Sequence, residues 1–513
     1  MGPDARARRS ACVAFAAALA AIPAVAAAQQ TPAPWRIVPR VSITETYSDN
    51  VTRAPSASAR SGWISALAPG VRVEGGGGRV RGFFDYQLTD IVYSNQSQLN
   101  SMQNSLNSQL TVEAIDDWLF LEARAGIQQL NLSAFGANTE AVTGAGTDPN
   151  RVETSFFQLS PYVRGTISDA ALYQLRYNGS TNRTSTGVIP ETRTSEWIGR
   201  VKNAPSASPV GWSIDGSALS FHNALAGKRE NSRLRGSLMY ALSPELHLSV
   251  HEGIETGNFA GATRQRKTTP GIGVEWMPGA RTQLAAIAEK RLFGSGQRVL
   301  LSHRTPLMAF RFTDDKDVSV LSAQLAAGGQ GSLSGMLSDL LSSSIPDPTA
   351  RAAAVRSQME QTGASNSSPA GAGFLTSGAT LVRRREASVT WLGRTNTATF
   401  TWHQSEHRAI GGSLGLVANT NGTLNLSQQG YSASWSHRLT PRSAITLLDT
   451  YLETRDLNAG NFASKTHSRN LLFLTQFGRR TTLSVAARRS RFDSSAAAGF
   501  RENALVGTAA MRF

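Results

Sequence analysis

Residues Leu106 to Gln128 read LNSQLTVEAIDDWLFLEARAGIQ, and this stretch decides the fold. From Leu106 to Ala114 every second residue is apolar or small, and the residues between them are polar. After the turn Ile115-Asp116-Asp117 the alternation resumes and continues to Ile127. Strict alternation over about ten residues on both sides of a short turn predicts a β-hairpin with one face towards lipid and the other towards water.

The same alternation recurs along the chain, and short turns alternate with longer polar loops such as Asn131 to Arg151 and Ala409 to Gln428. This asymmetry is typical of barrels with tight periplasmic turns and long external loops. The sequence therefore predicts an all-β fold, a transmembrane antiparallel outer-membrane β-barrel. Further hairpins are predicted at Val80 to Leu88 after the turn Gly75 to Gly78, at Arg233 to Val250, from Tyr431 through the turn Thr440-Pro441-Arg442, and at Leu471 to Ala487.

The N-terminus has the features of a secretory signal peptide. Basic residues at Arg6, Arg8 and Arg9 precede an Ala-rich apolar run, and small residues follow before Gln29. This pattern predicts a cleaved signal peptide over 1–28 and a mature barrel over 29–513. After residue 28 no apolar run approaches the roughly 18 residues of a membrane-spanning helix. Cys12, the one cysteine, lies inside the predicted signal peptide, so the mature chain has no disulfide or Cys metal site.

The charge balance is strongly basic, with 51 Lys and Arg against 36 Asp and Glu and a net charge of +15. No basic helix or recognition module accompanies it, and export removes the chain from nucleic acid. We therefore expect no nucleic-acid partner. Guanidinium groups favour phosphates and carboxylates, so the expected partners are outer-membrane lipid and lipopolysaccharide, and an anionic polysaccharide as a lumenal solute.

Basic side chains recur on the face opposite the apolar one, which in a barrel is the interior. Two interpretations stay open. A wide lumen with unpaired guanidinium groups would favour anionic solutes. Alternatively, each Arg pairs with an interior carboxylate such as Asp85, Glu113 or Glu122, which gives a structural ladder without net selectivity. The candidate lumenal residues are Arg79, Arg81, Arg124, Arg233, Arg235 and Arg488.

The last strand ends in an aromatic residue. Phe513, Met511, Ala509 and Leu505 fall on one face, with Gly507 between them in the same alternation. A terminal aromatic on the lipid face, preceded by apolar or small residues at every second position, resembles the sequence that barrel-assembly machinery recognises. We therefore expect this strand to be the assembly signal and that machinery to be a partner.

One segment, about 314–370, departs from the alternation and predicts a short helical insert. Met336, Leu337, Leu340 and Leu341 recur at helical spacing, and Asp347-Pro348 is a helix-start pattern. It is interpreted either as a loop that packs its own apolar stripe or as a functional plug or docking element.

Strand parity bears on the position of the insert. About fourteen strands are predicted before it, from Arg40 to about Phe312, and about seven after it, from about Arg383, whereas a single-chain barrel should have an even number. A missed strand at Phe374 to Val382 would give about 22 strands and a periplasmic insert. A false strand would give about 20, and the insert could then be extracellular. The fold prediction is thus a barrel of about 20 to 22 strands.

Two catalytic motifs are matched by their residue types and spacing but not by the structural context that they require. His403 to His407 matches the H-x-x-E-H pattern of zinc proteases, but it lies in a predicted strand, where Glu406 would point away from both histidines. Gly411 to Gly415 spells a nucleophile elbow in a Gly-rich loop without the required strand-turn-helix context. Gly75 to Gly78 is interpreted as a hairpin turn, because no helix or Lys follows it. The sequence predicts no enzyme and no cofactor.

Four stretches have a recognisable sequence pattern: Val41 to Val51, Leu67 to Tyr86, Asp117 to Phe135, and Ser160 to Arg164. Together they resemble the outer-membrane protein family associated with the PEP-CTERM/exosortase system and its exopolysaccharide loci. The resemblance is clearest over the first 200 residues. It implies an outer-membrane location and a genetic context, and it offers no catalytic residues to transfer.

Three functional hypotheses follow. The first is a porin-like channel of the Gram-negative outer membrane associated with exopolysaccharide export or the exosortase system. The second is a non-conducting structural or assembly scaffold, and the third is an outer-membrane hydrolase. Conductance in planar bilayers separates the first two.

Overall fold

In the computed structural model, strands occupy most of the chain that can be described. The structure describes residues 33–137, 150–187, 190–204, 208–224, 227–259, 263–320, 351, 354, 355, 359, 374, 378–410, 425–458, 462–495 and 497–513. Within these residues no helix is long and apolar enough to cross a membrane.

The described residues form 23 strand segments in one antiparallel sheet, each paired with its neighbours along the chain except that β12 and β13 both pair with β11. The first are β1 (Ala33–Ser48), β2 (Gly62–Gly77), β3 (Val80–Tyr93), β4 (Ser101–Ile115), β5 (Leu119–Asn131), β6 (Arg151–Ile167), β7 (Ala171–Thr184), β8 (Thr192–Asn203), β9 (Val210–Asn223), β10 (Gly227–Ser243), β11 (Leu246–Gly257) and β12 (Gln265–Thr268). The others are β13 (Gly271–Gly279), β14 (Thr282–Arg291), β15 (Gly294–Arg304), β16 (Met308–Ser319), β17 (Thr380–Leu392), β18 (Asn396–Ala409), β19 (Leu426–Thr440), β20 (Ser443–Asp456), β21 (Ala463–Phe477), β22 (Thr481–Ser494) and β23 (Phe500–Arg512). Two 3₁₀ turns lie in loops, at Ser56–Ser58 and Ser97–Leu99.

The sheet closes on itself because β1 pairs antiparallel with β23, from Arg40 opposite Arg512 to Ser48 opposite Ala504. Segments β12 and β13 both pair with β11 in one continuous register. Pro270, which has no N–H to donate, lies between them. They are two parts of one barrel strand, so the fold is a closed antiparallel barrel of 22 strands. Closure leaves no unpaired sheet edge, which is the requirement for strands that cross a membrane.

The barrel has a turn end and a loop end. Both termini of the barrel lie at the turn end, together with tight connections such as Gly78-Arg79 and Pro441-Arg442. The longer connections lie at the opposite end. By the usual orientation of such barrels, the turn end is periplasmic and the loop end is external.

The structure corrects the predicted position of the insert. The missed strand lies before the insert, where β1 to β16 make fifteen barrel strands, and not at Phe374 to Val382, because β17 begins at Thr380. The insert joins β16 to β17 and therefore leaves the barrel at the loop end, so its predicted periplasmic position is wrong. Its start is also later than predicted, because β16 continues to Ser319. Only residues 351, 354, 355 and 359 are described with helical conformation, so the extent of the helices stays a prediction.

Alternation along the strands sorts side chains between the two faces as the sequence predicts. In the hairpin of β4 and β5, Leu106 pairs with Ile127 and Leu110 with Ala123 on the outer face. Gln109 pairs with Arg124 on the inner face. On β10, Leu234 and Leu238 are 59% and 58% exposed on the outside of the barrel, because their neighbour there is lipid.

Candidate functional site

A network of buried charges lies on the inner face between β10 and β16. Arg291 is 5% exposed, and its Nε donates to Oε2 of Glu255 at 2.8 Å while Nη2 donates to Oε1 at 2.9 Å. Nη1 of Arg291 donates to Oε1 of Glu289 at 3.1 Å and lies 3.4 Å from Oδ1 of Asp317. Glu255 also accepts from Nδ2 of Asn231 at 3.0 Å. Every charged side chain named in this cluster therefore has a partner of opposite charge.

Two of the predicted lumenal arginines belong to the same network. Nη2 of Arg233 contacts Oε2 of Glu289 at 2.5 Å. Nη2 of Arg235 donates to Oδ2 of Asp215 at 3.1 Å, and its Nη1 lies 3.5 Å from Glu289. Asp215 is bonded in addition by Nε of Arg200. These contacts join strands β8, β9, β10 and β14 across the inner surface.

The other predicted arginines lie apart from this network. At the turn end, Nη2 of Arg79 donates to Oδ2 of Asp116 at 2.6 Å in an exposed pair. Arg81 is exposed on the inner face of β3, and no ion pair joins it to a described carboxylate. Arg124 lies on the inner face of β5. At the loop end, Nη2 of Arg488 donates to Oε1 of Glu502 at 2.7 Å, and both side chains are buried.

The carboxylates expected to form a ladder also have partners. Asp85 accepts from Arg40 and from Nη1 of Arg72, the latter at 3.0 Å. Glu122 accepts from Nη1 of Arg176 at 2.8 Å. Glu113 instead accepts the backbone N–H of Asp117 at the turn, at 2.7 Å. The structural ladder therefore accounts for most of the predicted residues, although the acidic partners are often not the ones that the sequence suggested.

The ladder does not cancel the interior charge. Among the described strand residues whose register position lies on the inner face, basic side chains outnumber acidic ones. Arg81 on β3 and Arg304 on β15 are two such residues at the turn end. A net positive interior favours anions, since the fields of all the charges that line a lumen add together.

The wall formed by β18 to β21 has a different chemistry, because its inner face consists mainly of hydroxyl side chains. The hydroxyls bond to one another, as where Oγ1 of Thr446 donates to Oγ of Ser436 at 3.1 Å. Many of these hydroxyl side chains are buried. The buried members are Thr401, Ser405, Ser436, Thr446, Thr450, Thr454, Ser464, Thr466 and Ser468.

Two apolar clusters lie at the loop end. In the first, Phe135 from the loop after β5 packs with Phe374 of the insert and Leu426 of β19. The ring of Phe374 also contacts His407 of β18 at a centroid distance of 5.0 Å. Strands β5 and β19 lie on nearly opposite sides of the ring, so these contacts cross the lumen.

The second cluster joins another pair of separated walls. Phe221 on β9 and Phe259 in the loop after β11 pack with Val320 and Ala379, the residues that flank the insert. The two rings lie 6.2 Å apart. Together the clusters join residues of separate strands and loops at the loop end. The sequence predicts an insert but not these contacts, which join residues far apart in the chain.

The H-x-x-E-H pattern does not have the geometry of the zinc-protease motif. The register of β17 with β18 places His403 and His407 on the inner face and Glu406 on the outer face, as predicted for a strand. The His403 ring packs over Gly430, where an added Cβ would lie 2.8 Å from its Cε1 atom. No group of three metal-binding side chains occurs among the described residues. Gly411 to Gly415 lies outside the described residues.

The predicted assembly strand lies at the closure of the barrel. Phe513, Met511, Ala509 and Leu505 all point outwards, and Phe513 is 58% exposed. The backbone N–H of Phe513 donates to the carbonyl of Pro39 on β1 at 2.9 Å. The last residue thus completes the pairing between the first strand and the last.

The outside of the barrel is apolar and bears a girdle of indoles. Eight of the nine tryptophans are well exposed there, although Trp side chains in water-soluble proteins are mostly buried. Such rings favour the boundary between lipid and water. The eight are Trp35, Trp63, Trp118, Trp197, Trp212, Trp276, Trp391 and Trp435.

A closed barrel of this size, with an apolar outside and a polar inside, defines a class of protein. The chain is a β-barrel of the outer membrane, where strand barrels are the membrane-spanning architecture.

No protein-family model matches the chain, and no curated protein matches it in sequence. Among solved structures, the chain is 9% identical to the FrpB iron transporter of Neisseria meningitidis (F5-1 variant), with a TM-score of 0.49 over 93% of this chain and 82% of that chain. It is similar to a mutant of the ferric enterobactin receptor (PfeA) of Pseudomonas aeruginosa, at 9% identity and a TM-score of 0.46 over 93% of this chain and 80% of that chain.

The chain is also similar to OccK3 (OpdO) of Pseudomonas aeruginosa, at 11% identity and a TM-score of 0.31 over 93% of this chain and 96% of that chain. Because these TM-scores are all below 0.5, the assignment of the fold rests on the strand pairing alone.

Proposed function

We propose that the protein is a gated channel of the outer membrane that serves an exopolysaccharide or PEP-CTERM/exosortase locus. One observation carries the channel proposal: the interior of the barrel is polar, and the apolar contacts at its external end are made by loop residues such as Phe135 and Phe259 and by Phe374 of the insert. A closure made of loops can open without disturbing the hydrogen bonds of the wall.

The size of the barrel supports the proposal. Barrels of about 16 strands or more enclose a lumen wider than their own inward side chains fill. The inner face of β18 to β21 carries hydroxyl groups, and the inner face between β10 and β16 carries charged groups. A polymer with many hydroxyls and some carboxylates would find partners of both kinds.

The proposed association with such a locus rests on the resemblance of the first 200 residues to the PEP-CTERM/exosortase-associated family. This resemblance lies in stretches such as Val41 to Val51 and Asp117 to Phe135. Exopolysaccharide loci need a route across the outer membrane for a product made further inside. A barrel with a positive interior fits a carboxylated polymer better than a neutral one.

The test is conductance of the purified barrel in planar bilayers, combined with deletion of the gene in the producing cell. We expect channels with long closed periods, and polymer trapped in the periplasm of the deletion strain. Bilayers that stay silent even after the loop contacts are weakened, together with normal export in the deletion strain, would refute the proposal.

A non-conducting scaffold is the second candidate. The two apolar clusters across the mouth favour it, because they bury phenylalanines from opposite walls. On this hypothesis the clusters are permanent, and weakening them lowers stability without producing current. The same bilayer experiment therefore separates the two candidates.

A further inference from the structure

An open groove of about 500 Å³ runs along the outer surface of β20 to β23 and β1. Its floor is apolar and consists of Leu447, Leu471, Ala487, Leu505 and Tyr47, which face one another in successive strand pairs. Leu471 and Leu505 are 51% and 56% exposed on either side of Ala487. Because Ala487 is much smaller than its neighbours, it leaves a trough between two ridges of leucine.

The external edge of this groove is basic. Arg469 on β21 and Arg489 on β22 are paired directly across the two strands and both line the groove. One step further out, Arg491 on β22 is paired with Arg501 on β23. All four point away from the lumen and are exposed.

Two like-charged pairs side by side on a sheet are unfavourable unless an anion lies between them. Two of the four arginines, Arg491 and Arg469, already have a carboxylate partner. Asp493 bonds Arg491, with Nε to Oδ2 at 2.6 Å. Asp449 bonds His467 at 2.6 Å and lies 3.6 Å from Arg469.

Asp49, which also lines the groove, accepts from Nδ2 of Asn503 at 2.7 Å. No ion pair joins Arg489 or Arg501 to a carboxylate among the residues that the structure describes.

We propose that this groove binds one phosphorylated acyl lipid of the surrounding outer leaflet. Its phosphate would lie between Arg469, Arg489 and Arg501, where guanidinium groups bind phosphate through two parallel hydrogen bonds. Its acyl chains would follow the trough over Ala487 into the apolar band. An inorganic anion matches only the basic edge and an uncharged lipid only the floor, so the combination selects a lipid with both parts.

Native mass spectrometry of the intact barrel in detergent tests the proposal, with lipid A as the probe and dephosphorylated lipid A and inorganic phosphate as competitors. We expect one lipid A per barrel, displaced neither by dephosphorylated lipid A nor by millimolar phosphate. Displacement by inorganic phosphate would show a simple anion site and would overturn the proposal.

Two variants address the two halves of the groove. The triple variant R469Q/R489Q/R501Q removes the basic edge, and Ala487→Leu fills the trough without changing charge. Each should raise the Kd for lipid A at least about tenfold, which corresponds to 1.4 kcal/mol. The matched control is R183Q/R193Q, since both of these exposed arginines already bond Glu191.

All variants are first checked for the heat-dependent gel shift of a folded barrel. Undiminished lipid binding by either folded groove variant, or an equal loss in the control, would overturn the proposal.

Discussion

Arg291 and Glu255 form a two-pronged ion pair inside the barrel, with Nε to Oε2 at 2.8 Å and Nη2 to Oε1 at 2.9 Å. The same carboxylate accepts the backbone N–H of Leu292 at 3.0 Å. Glu255 on β11 therefore holds the turn between β14 and β15 in place. This contact joins two elements that are not neighbours in the sheet.

Glu255→Ala should destabilise the barrel by about 3 kcal/mol, because it leaves the Arg291 guanidinium buried without its main partner. The double variant E255L/R291M should cost less than Glu255→Ala alone, since it removes both charges together. The temperature at which the folded barrel loses its gel shift measures both effects. A double variant that is less stable than E255A would contradict this account.

Phe374 should control opening. Asn131 and Phe374 form a parallel β-bridge between β5 and the insert, with Cα atoms about 5 Å apart. Cysteines at these two positions satisfy the distance of a disulfide, and the mature chain is predicted to have no other cysteine. The oxidised N131C/F374C protein should conduct less than the wild type, and a reductant should reverse the loss.

Phe374→Ala supplies the opposite change. Loss of the ring from the cluster with Phe135 and Leu426 should lengthen the open periods in planar bilayers. Phe500→Ala serves as a control, because Phe500 packs with Phe492 at the loop end and is not a member of the described cluster that contains Phe374. Unaltered gating in both the oxidised pair and Phe374→Ala would count against a closure made by the insert.

Deletion of Phe513 should impair assembly. The residue presents an exposed aromatic ring to lipid and bonds Pro39 through its backbone N–H, at the seam between β23 and β1. We expect folded barrel in the outer membrane to fall several-fold, measured by the heat-dependent gel shift. Phe477→Ala is the matched control, since Phe477 is an outward aromatic at the same end but not at the seam. Normal assembly without Phe513 would refute its role as a signal.

The fold follows from local sequence because one rule, alternation with period two, applies to every strand. The pairing of Leu106 with Ile127 could be predicted since a short turn fixes register. The side on which the insert lies could not, because it depends on the parity of the whole strand count. One missed strand before Phe312 reverses the answer.

The contacts between side chains in the interior could not be predicted from the sequence either. Glu289 on β14 bonds Arg291, two residues away on its own strand, and also Arg233 on β10, which is 56 residues away in the chain. Alternation predicts that these side chains face inwards, but not which of them meet. That depends on the stagger of the strands around the closed barrel. Contacts of Phe374 across the lumen depend on loops, for which no periodic pattern exists.

The lumen should prefer anions, and the arginines should contribute unequally. Neutralising Arg79, Arg81, Arg233 and Arg235 together should lower the anion preference in planar bilayers. Among them, Arg81 is exposed on the inner face near the turn end and no described carboxylate is paired with it. Arg81→Ser should therefore reduce the ratio of anion to cation permeability by roughly fourfold, since one charge about 10 Å from a passing ion in water contributes about 0.4 kcal/mol, with opposite sign for an anion and for a cation. Barrel stability should not change.

Arg235 provides the comparison, because it bonds Asp215 at 3.1 Å and lies in the buried network. Arg235→Ser alone should lower both the anion selectivity and the stability of the barrel. Asp215 would then keep Arg200 as its arginine partner but lose Arg235. The charge-neutral pair R235S/D215S should retain the anion preference of the wild type, because the net charge of the lumen is unchanged. If R81S leaves the permeability ratio unaltered while R235S/D215S changes it, local pairing and not net lumenal charge sets the selectivity. The preference for a carboxylated polymer would then lose its physical basis, although a conducting barrel would remain.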